Sequence, residues 1–118
     1  MNDVMISKNF SLKEFECPCC HTVMIRPELI RLLQKLRDKL DRMVIITSGY
    51  RCKEHNRKVG GEVGSYHLYG MAADICVPDF PVEILAKEAE QVGFGGIGLY
   101  KDKVFIHVDI GPKRRWTK

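Results

Sequence analysis

Met71-Ala-Ala-Asp-Ile-Cys-Val77 is a short run of strand character that stops at Pro78, and an amphipathic helix follows from Pro81 to Val92. Val82, Leu85, Ala86, Ala89 and Val92 share one face of that helix, and Gly93 supplies its stop. A strand followed at once by a one-sided helix needs further strands to complete a layer, and both flanks provide them. Downstream, Gly96 to Tyr100 and Lys103 to Ile110 read as two strands joined by Lys101-Asp102 as a hairpin turn. Upstream, the β-branched run Met43-Val-Ile-Ile-Thr47 predicts a buried strand ended by Ser48-Gly49. Pro27 opens a helix to about Leu40, with Leu29, Leu32, Leu33, Leu36 and Leu40 at three- and four-residue spacing. Ser11-Leu-Lys-Glu14 has the form of a capping box and begins a short helix, with Phe10 and Phe15 placed to pack before Cys17-Pro18. The polar, glycine-punctuated stretch from Tyr50 to Gly64 is expected to be a long functional loop with one helical turn over Lys53 to Val59. The expected class is α+β, a mainly antiparallel sheet flanked by helices.

A chain of 118 residues buries one core, so residues 1–118 are read as a single domain. Lys and Arg number 19 against 15 Asp and Glu, a formal charge of +4. The basic residues gather at Arg51, Lys53, Arg57 and Lys58 and at Lys113, Arg114 and Arg115, a balance compatible with an anionic polymer. Nucleic acid ranks last as a partner because no aromatic platform accompanies the charge. No apolar run approaches a membrane span, and Met1-Asn-Asp-Val-Met-Ile-Ser7 has neither a charged leader nor a hydrophobic signal core. The expectation is a chain made in the cytoplasm, without membrane partners, whose release to a cell wall needs another agent.

Chemistry concentrates in two pieces, Ser65-Tyr-His-Leu-Tyr-Gly-Met-Ala-Ala-Asp74 and Phe105-Ile-His-Val-Asp109. Imidazole and carboxylate donors bind Zn²⁺ at about 2.0–2.2 Å, and three of them leave a fourth position for water. His67, Asp74 and His107 therefore read as a zinc site, provided the chain bends around Gly70 so that His67 and Asp74 converge.

The surrounding motifs are Ser48-Gly-Tyr-Arg51, His55-Asn56, Val59-Gly-Gly61, Ser65-x-His67-x-x-Gly70-x-Ala72-Ala-Asp74-Ile75, Gly95-Gly-Ile-Gly-x-Tyr100 and His107-Val-Asp-x-Gly-Pro-x-x-Arg115-Trp116. Together they resemble the D-alanyl-D-alanine carboxypeptidase type of zinc peptidase, a peptidoglycan-cleaving group that shares its fold with the vancomycin-resistance dipeptidases and the hedgehog signalling domain. The resemblance runs from Phe10 to Trp116. It implies one zinc on His67, Asp74 and His107, a substrate-binding and catalytic Arg51, a substrate-binding Ser65 and a Trp116 that closes over the site. Many relatives carry Glu or Asp three residues before the third ligand, or His two before it, where this chain has Val104 and Phe105. Asp109 shares the strand face of His107 and is the nearest carboxylate, as the general base or as a partner that orients a ligand imidazole. His55 is a further candidate proton carrier.

The implied function is hydrolysis of an amide bond in a peptidoglycan stem peptide by a monomer, as a D-Ala-D-Ala carboxypeptidase or a D-residue endopeptidase, and a phage-derived lysin is compatible with it. The alternative is a non-catalytic zinc-containing module that binds wall peptide, favoured by Val104 and Phe105. Cysteines number 5, and the odd count suits a reducing compartment. Cys17-Pro-Cys-Cys20 with His21 suggests metal, but it lacks a second ligand pair, so buried apolar cysteines are the expected role.

Overall fold

The computed structural model describes residues 2–118. Its elements are a 3₁₀ turn Leu12–Phe15, α1 Pro27–Leu40, β1 Ile45–Ser48, α2 Lys53–Lys58, a 3₁₀ turn Tyr66–Tyr69, β2 Ala72–Cys76, α3 Val82–Val92, β3 Gly96–Tyr100, β4 Phe105–Asp109 and β5 Arg114–Thr117. Pro27 occupies the first turn of α1, where its missing N–H has no partner to lose. Leu29, Leu32, Leu33 and Leu36 are buried along one stripe of that helix. In the capping box, Ser11 N–H donates to Glu14 Oε2 at 2.7 Å. Phe10 and Phe15 flank it, both buried, with ring centroids 6.1 Å apart. Gly93 ends α3 at φ 115°, a conformation that glycine enters without a Cβ clash.

The five strands form one mixed sheet in the order β1-β2-β4-β3-β5. Three pairings are antiparallel, and β5 lies parallel to β3. Successive side chains of a strand point to opposite faces, so the sheet has two different surfaces. Ala73 and Ile75 of β2, Ile106 and Val108 of β4 and Ile97 of β3 join the buried core with α1 and α3. On the opposite face two rows cross the strands. One register row runs Ser48, Asp74, His107, Gly98, Trp116, and the next runs Ala72, Asp109, Gly96, Arg114.

Several expectations change here. β1 is an edge strand whose residues alternate between exposed and half-buried, and of the apolar run only Val44, just before the strand, is fully buried. The connection from β3 to β4 is a four-residue turn rather than Lys101-Asp102 alone, and it ends at Val104 with φ 56°. β5 was not expected because Arg114-Arg-Trp-Thr117 shows no apolar alternation, and its parallel pairing makes the sheet mixed. Of the thiols in the Cys17-Pro-Cys-Cys20 run only Cys17 is buried, while Cys19 and Cys20 are exposed, so burial does not explain them. Among the described residues, no helix is long and apolar enough to cross a membrane.

Val104 is β-branched, exposed and held in the left-handed region, where an L-residue with a Cβ is strained. Val104→Gly removes the strain at some entropic cost. The expected net gain is about 0.5–1 kcal/mol in denaturant unfolding. A loss of stability would show that the turn tolerates Val104 without strain.

Candidate functional site

The first register row brings Asp74 and His107 together, because β2 and β4 pair with these two residues directly opposed. His67 arrives from the 3₁₀ turn before β2. Ser65 starts that turn, its Oγ accepting from His67 N–H at 3.2 Å, and Gly70 ends it at φ 69°. The bend around Gly70 lets two residues seven apart converge as the sequence required. One donor atom from each of His67, Asp74 and His107 lies within 4.8 Å of the others.

Hydrogen bonds fix which nitrogen each imidazole offers. His67 Nδ1 is 2.8 Å from Gly49 O, and a carbonyl only accepts, so Nδ1 carries the proton and Nε2 faces Asp74 Oδ1 at 3.2 Å. His107 Nε2 is 2.7 Å from Asp109 Oδ2, which leaves Nδ1 facing the same Asp74 Oδ1 at 3.2 Å. With both rings neutral, two imidazole lone pairs and a carboxylate oxygen would point at one another. Only a proton or a cation between them relieves that repulsion. The donor set, the tautomers and the carboxylate behind His107 together fit a divalent metal.

The charges respond accordingly. Burial alone would raise the Asp74 carboxyl, but hydrogen bonds from His107 and His67 outweigh it and hold the group well below the usual carboxylate range. Burial would lower His107, but its bonds to Asp109 and Asp74 raise it above an ordinary histidine. For Asp109, bonds from His107, Arg114 and the Gly111 N–H overcome burial and lower it.

Arg51 lies at the same cluster. Its Nε donates to Ser48 Oγ at 3.1 Å, one terminal nitrogen to Asn56 Oδ1 at 3.2 Å and the other to Asp74 Oδ2 at 3.2 Å. Asn56 is buried and donates to Glu62 O at 2.9 Å, so α2 holds the guanidinium in place. Trp116 sits with its ring 5.2 Å from the His107 ring and donates from Nε1 to Tyr100 Oη at 3.1 Å. Gly98 lies opposite it, and a Cβ there would collide with the indole. A cavity of about 800 Å³ opens over the cluster, with Arg51, Ser65, His67, His107 and Trp116 in its wall.

Asp109 is fully buried and bonded on every side. It accepts from His107, from Arg114 at 2.6 Å, from Gly96 N–H at 3.1 Å and from Gly111 N–H at 2.9 Å. His55 does not line the cavity; its N–H donates to Cys52 Sγ at 3.4 Å. Asn56 and Arg114 were missed as site residues. In the sequence Asn56 stands beside the titratable His55 and Arg114 within a charge run, and neither position announces the bond it makes in the fold.

A family model described as Peptidase M15 matches residues 8–109. The peptidoglycan L,D-endopeptidase MepK of Escherichia coli strain K12 is 32% identical over 99 residues, which cover 78% of this chain and 54% of that protein. The probable peptidoglycan L,D-endopeptidase MepK of Haemophilus influenzae is 36% identical over 76 residues, covering 60% of this chain and 41% of that protein. The chain thus spans about half the length of the curated relatives it matches.

Asp109→Asn removes the charge beside His107 Nε2. In metal-free protein the His107 value, followed by NMR, is expected to fall. Because the native value is raised, the contribution of His107 to stability is full below the unfolded value near 6.5 and is lost as pH rises through the folded one. The variant should show a weaker pH dependence, since Asp74 still faces His107, and should lose about 1–3 kcal/mol of stability. An unchanged His107 titration would contradict the assigned contact.

Proposed function

The chain belongs to the peptidase M15 family, and we propose that it is a zinc peptidase, one domain spanning residues 1–118, that hydrolyses an amide bond in a peptidoglycan stem peptide. The observation that carries this reading is the cluster of His67, Asp74 and His107 beneath an open cavity, with Arg51 beside it. In this reading the three side chains hold one zinc through Nε2, a carboxylate oxygen and Nδ1. When bound, zinc supplies a polarised scissile carbonyl and an acidified water. The family also implies a hedgehog/DD-peptidase-like fold, with which the α+β sheet is compatible.

The remaining roles follow from what each residue touches. A guanidinium has five N–H donors, and Ser48, Asn56 and Asp74 engage three of those on Arg51. The two left over suit a substrate carboxylate or carbonyl oxygen as a fork. Trp116 offers an apolar wall for the stem peptide, and Ser65 serves first by fixing the turn that carries His67. Asp109, with its oxygens committed, is assigned to positioning His107 rather than to proton transfer, and His55, which does not line the cavity, is given no part in the chemistry. Besides Asp74 and Asp109, the carboxylates on that wall are Glu62 and Asp102, and proton transfer falls to groups placed there.

The names of the relatives support an amide between an L- and a D-residue as the bond cut. Removal of a terminal D-alanine is the second reading, and it rests on the motif resemblance. The proposed site of action is the cell wall, with the chain working as a monomer and a phage-derived lysin as one source. Val104 and Phe105 keep the non-catalytic wall-peptide module as the outcome to exclude.

The test is turnover and metal content together. His67→Ala should contain one zinc fewer than the wild type by elemental analysis. Purified peptidoglycan treated with the zinc-loaded wild type should yield fragments whose masses identify an L,D-cleavage. Released D-alanine would move the assignment to carboxypeptidase, and zinc with no product would favour the binding module. Arg51→Lys should retain zinc and lose at least about tenfold in kcat/KM, roughly 1.4 kcal/mol. An undiminished kcat/KM would remove Arg51 from substrate binding.

Metal binding should also depend on pH with a definite sign. His107 is raised and zinc takes only the neutral imidazole, so affinity should increase as pH rises through the His107 value, with proton release seen by calorimetry in buffers of different ionisation enthalpy. Affinity that falls over that range would contradict His107 as a ligand.

A further inference from the structure

A second cluster of metal-binding side chains lies where the N-terminal arm meets α2, and it is independent of the peptidase reading. Cys17, Cys19 and Cys20 come from one turn and Cys52 from the N-cap of α2, and their sulfurs all lie within 4.8 Å of one another. Cys17 Sγ is 3.6 Å from Cys19 Sγ and 3.7 Å from Cys52 Sγ, while Cys19 and Cys52 are separated by 3.2 Å. Four sulfurs each about 2.3 Å from a tetrahedral zinc would be about 3.8 Å apart, so small side-chain adjustments admit the ion. All five cysteines are free thiols.

The local backbone is organised around these sulfurs. His21 N–H donates to Cys17 O at 2.7 Å and Cys17 N–H to Thr22 O at 2.8 Å, which closes the turn, and His21 adopts φ 60° within it. Three thiols from that turn thereby face Cys52. Burial pushes the Cys17 thiol up, but hydrogen bonds from the backbone N–H groups of Cys52, Cys19 and Cys20 and from the Cys19 thiol bring it down to about 6. The contacts with Cys52 and Cys17 push Cys19 up to about 12, so thiolate is favoured first at Cys17. N–H groups converging on sulfur stabilise thiolate, the form that binds metal.

We propose that Cys17, Cys19, Cys20 and Cys52 form a closed tetrathiolate site for a second Zn²⁺, structural rather than catalytic. Thiolates are soft ligands that select zinc over the harder divalent cations, and four protein ligands leave no position for substrate or water. Cys52 directly follows Arg51, and Tyr50 N–H donates to Phe15 O at 2.8 Å, so the ion would pin the arm onto the loop that carries Arg51. It would also fix the start of α2, whose Asn56 holds the guanidinium.

The test uses the whole chain, purified under reducing conditions, stripped of metal and titrated with Co²⁺ or Zn²⁺. Wild type should bind two equivalents. His67→Ala, with the first site disabled, should still bind one Co²⁺ with sulfur-to-cobalt charge-transfer absorption that Zn²⁺ abolishes. The double variant Cys17→Ser/Cys52→Ser should lose that absorption. Mass-mapped alkylation of the wild type needs no variant: zinc should slow reaction at these four cysteines at least about tenfold and leave Cys76 unchanged. Absence of the thiolate absorption in His67→Ala, or equal alkylation of the four cysteines with and without zinc, would overturn the site. Neither readout depends on peptidase activity.

Discussion

The antiparallel register of β2 against β4, which sets Asp74 directly opposite His107, is the constraint on which the rest of the site depends. Side chains alternate across a sheet, so a slip of one residue would send Asp74 into the core and bring Ala73 to the cavity. The core enforces the register from the other side. Ala73 and Ile75 must stay against α1 and α3 together with Ile106 and Val108, and any shift would expose them. Burial of aliphatic residues on one face thus fixes the placement of polar donors on the other.

That placement creates an electrostatic problem that defines what the site can do. Asp74 Oδ1 faces two imidazole nitrogens whose partner nitrogens are committed to Gly49 O and Asp109 Oδ2. Its other oxygen faces Arg51. Such a centre is stable only with positive charge inside it, as protons on the histidines or as a metal ion. The second row, Asp109 with Gly96 and Arg114, supports the first by locking the His107 tautomer, and a Cβ at Gly96 would occupy the space of the Asp109 carboxylate. Two residues without side chains, Gly96 and Gly98, are therefore what let Asp109 and Trp116 lie beside His107.

Much of this was legible in the sequence. The heptad-like spacing of Leu29 to Leu36, the capping box at Ser11 and the helix stop at Gly93 each rest on local physics and appear where expected. The three donors of the cluster stand out in the sequence because two imidazoles and a carboxylate suit zinc and because the motifs around them resemble those of zinc peptidases. What failed depended on neighbours. An apolar run such as Val44-Ile-Ile46 does not reveal whether its strand is central or at an edge, and Arg114-Arg-Trp-Thr117 pairs with β3 through backbone groups that its side chains do not announce. The exposure of Cys19 and Cys20 is hidden for the same reason: Cys52, whose sulfur lies beside theirs, is far along the chain and meets them only after folding. Asp109 was recognised, but its bonds to two backbone N–H groups and to Arg114 exist only in three dimensions.

The most direct test of the central claim is zinc-edge anomalous diffraction from crystals of the zinc-loaded protein. The account requires an ion between His67, Asp74 and His107, bound by Nε2 of the first histidine and Nδ1 of the second at about 2.0–2.2 Å. An anomalous peak coordinated through His107 Nε2, or zinc-saturated crystals with no peak between these three residues, would contradict it.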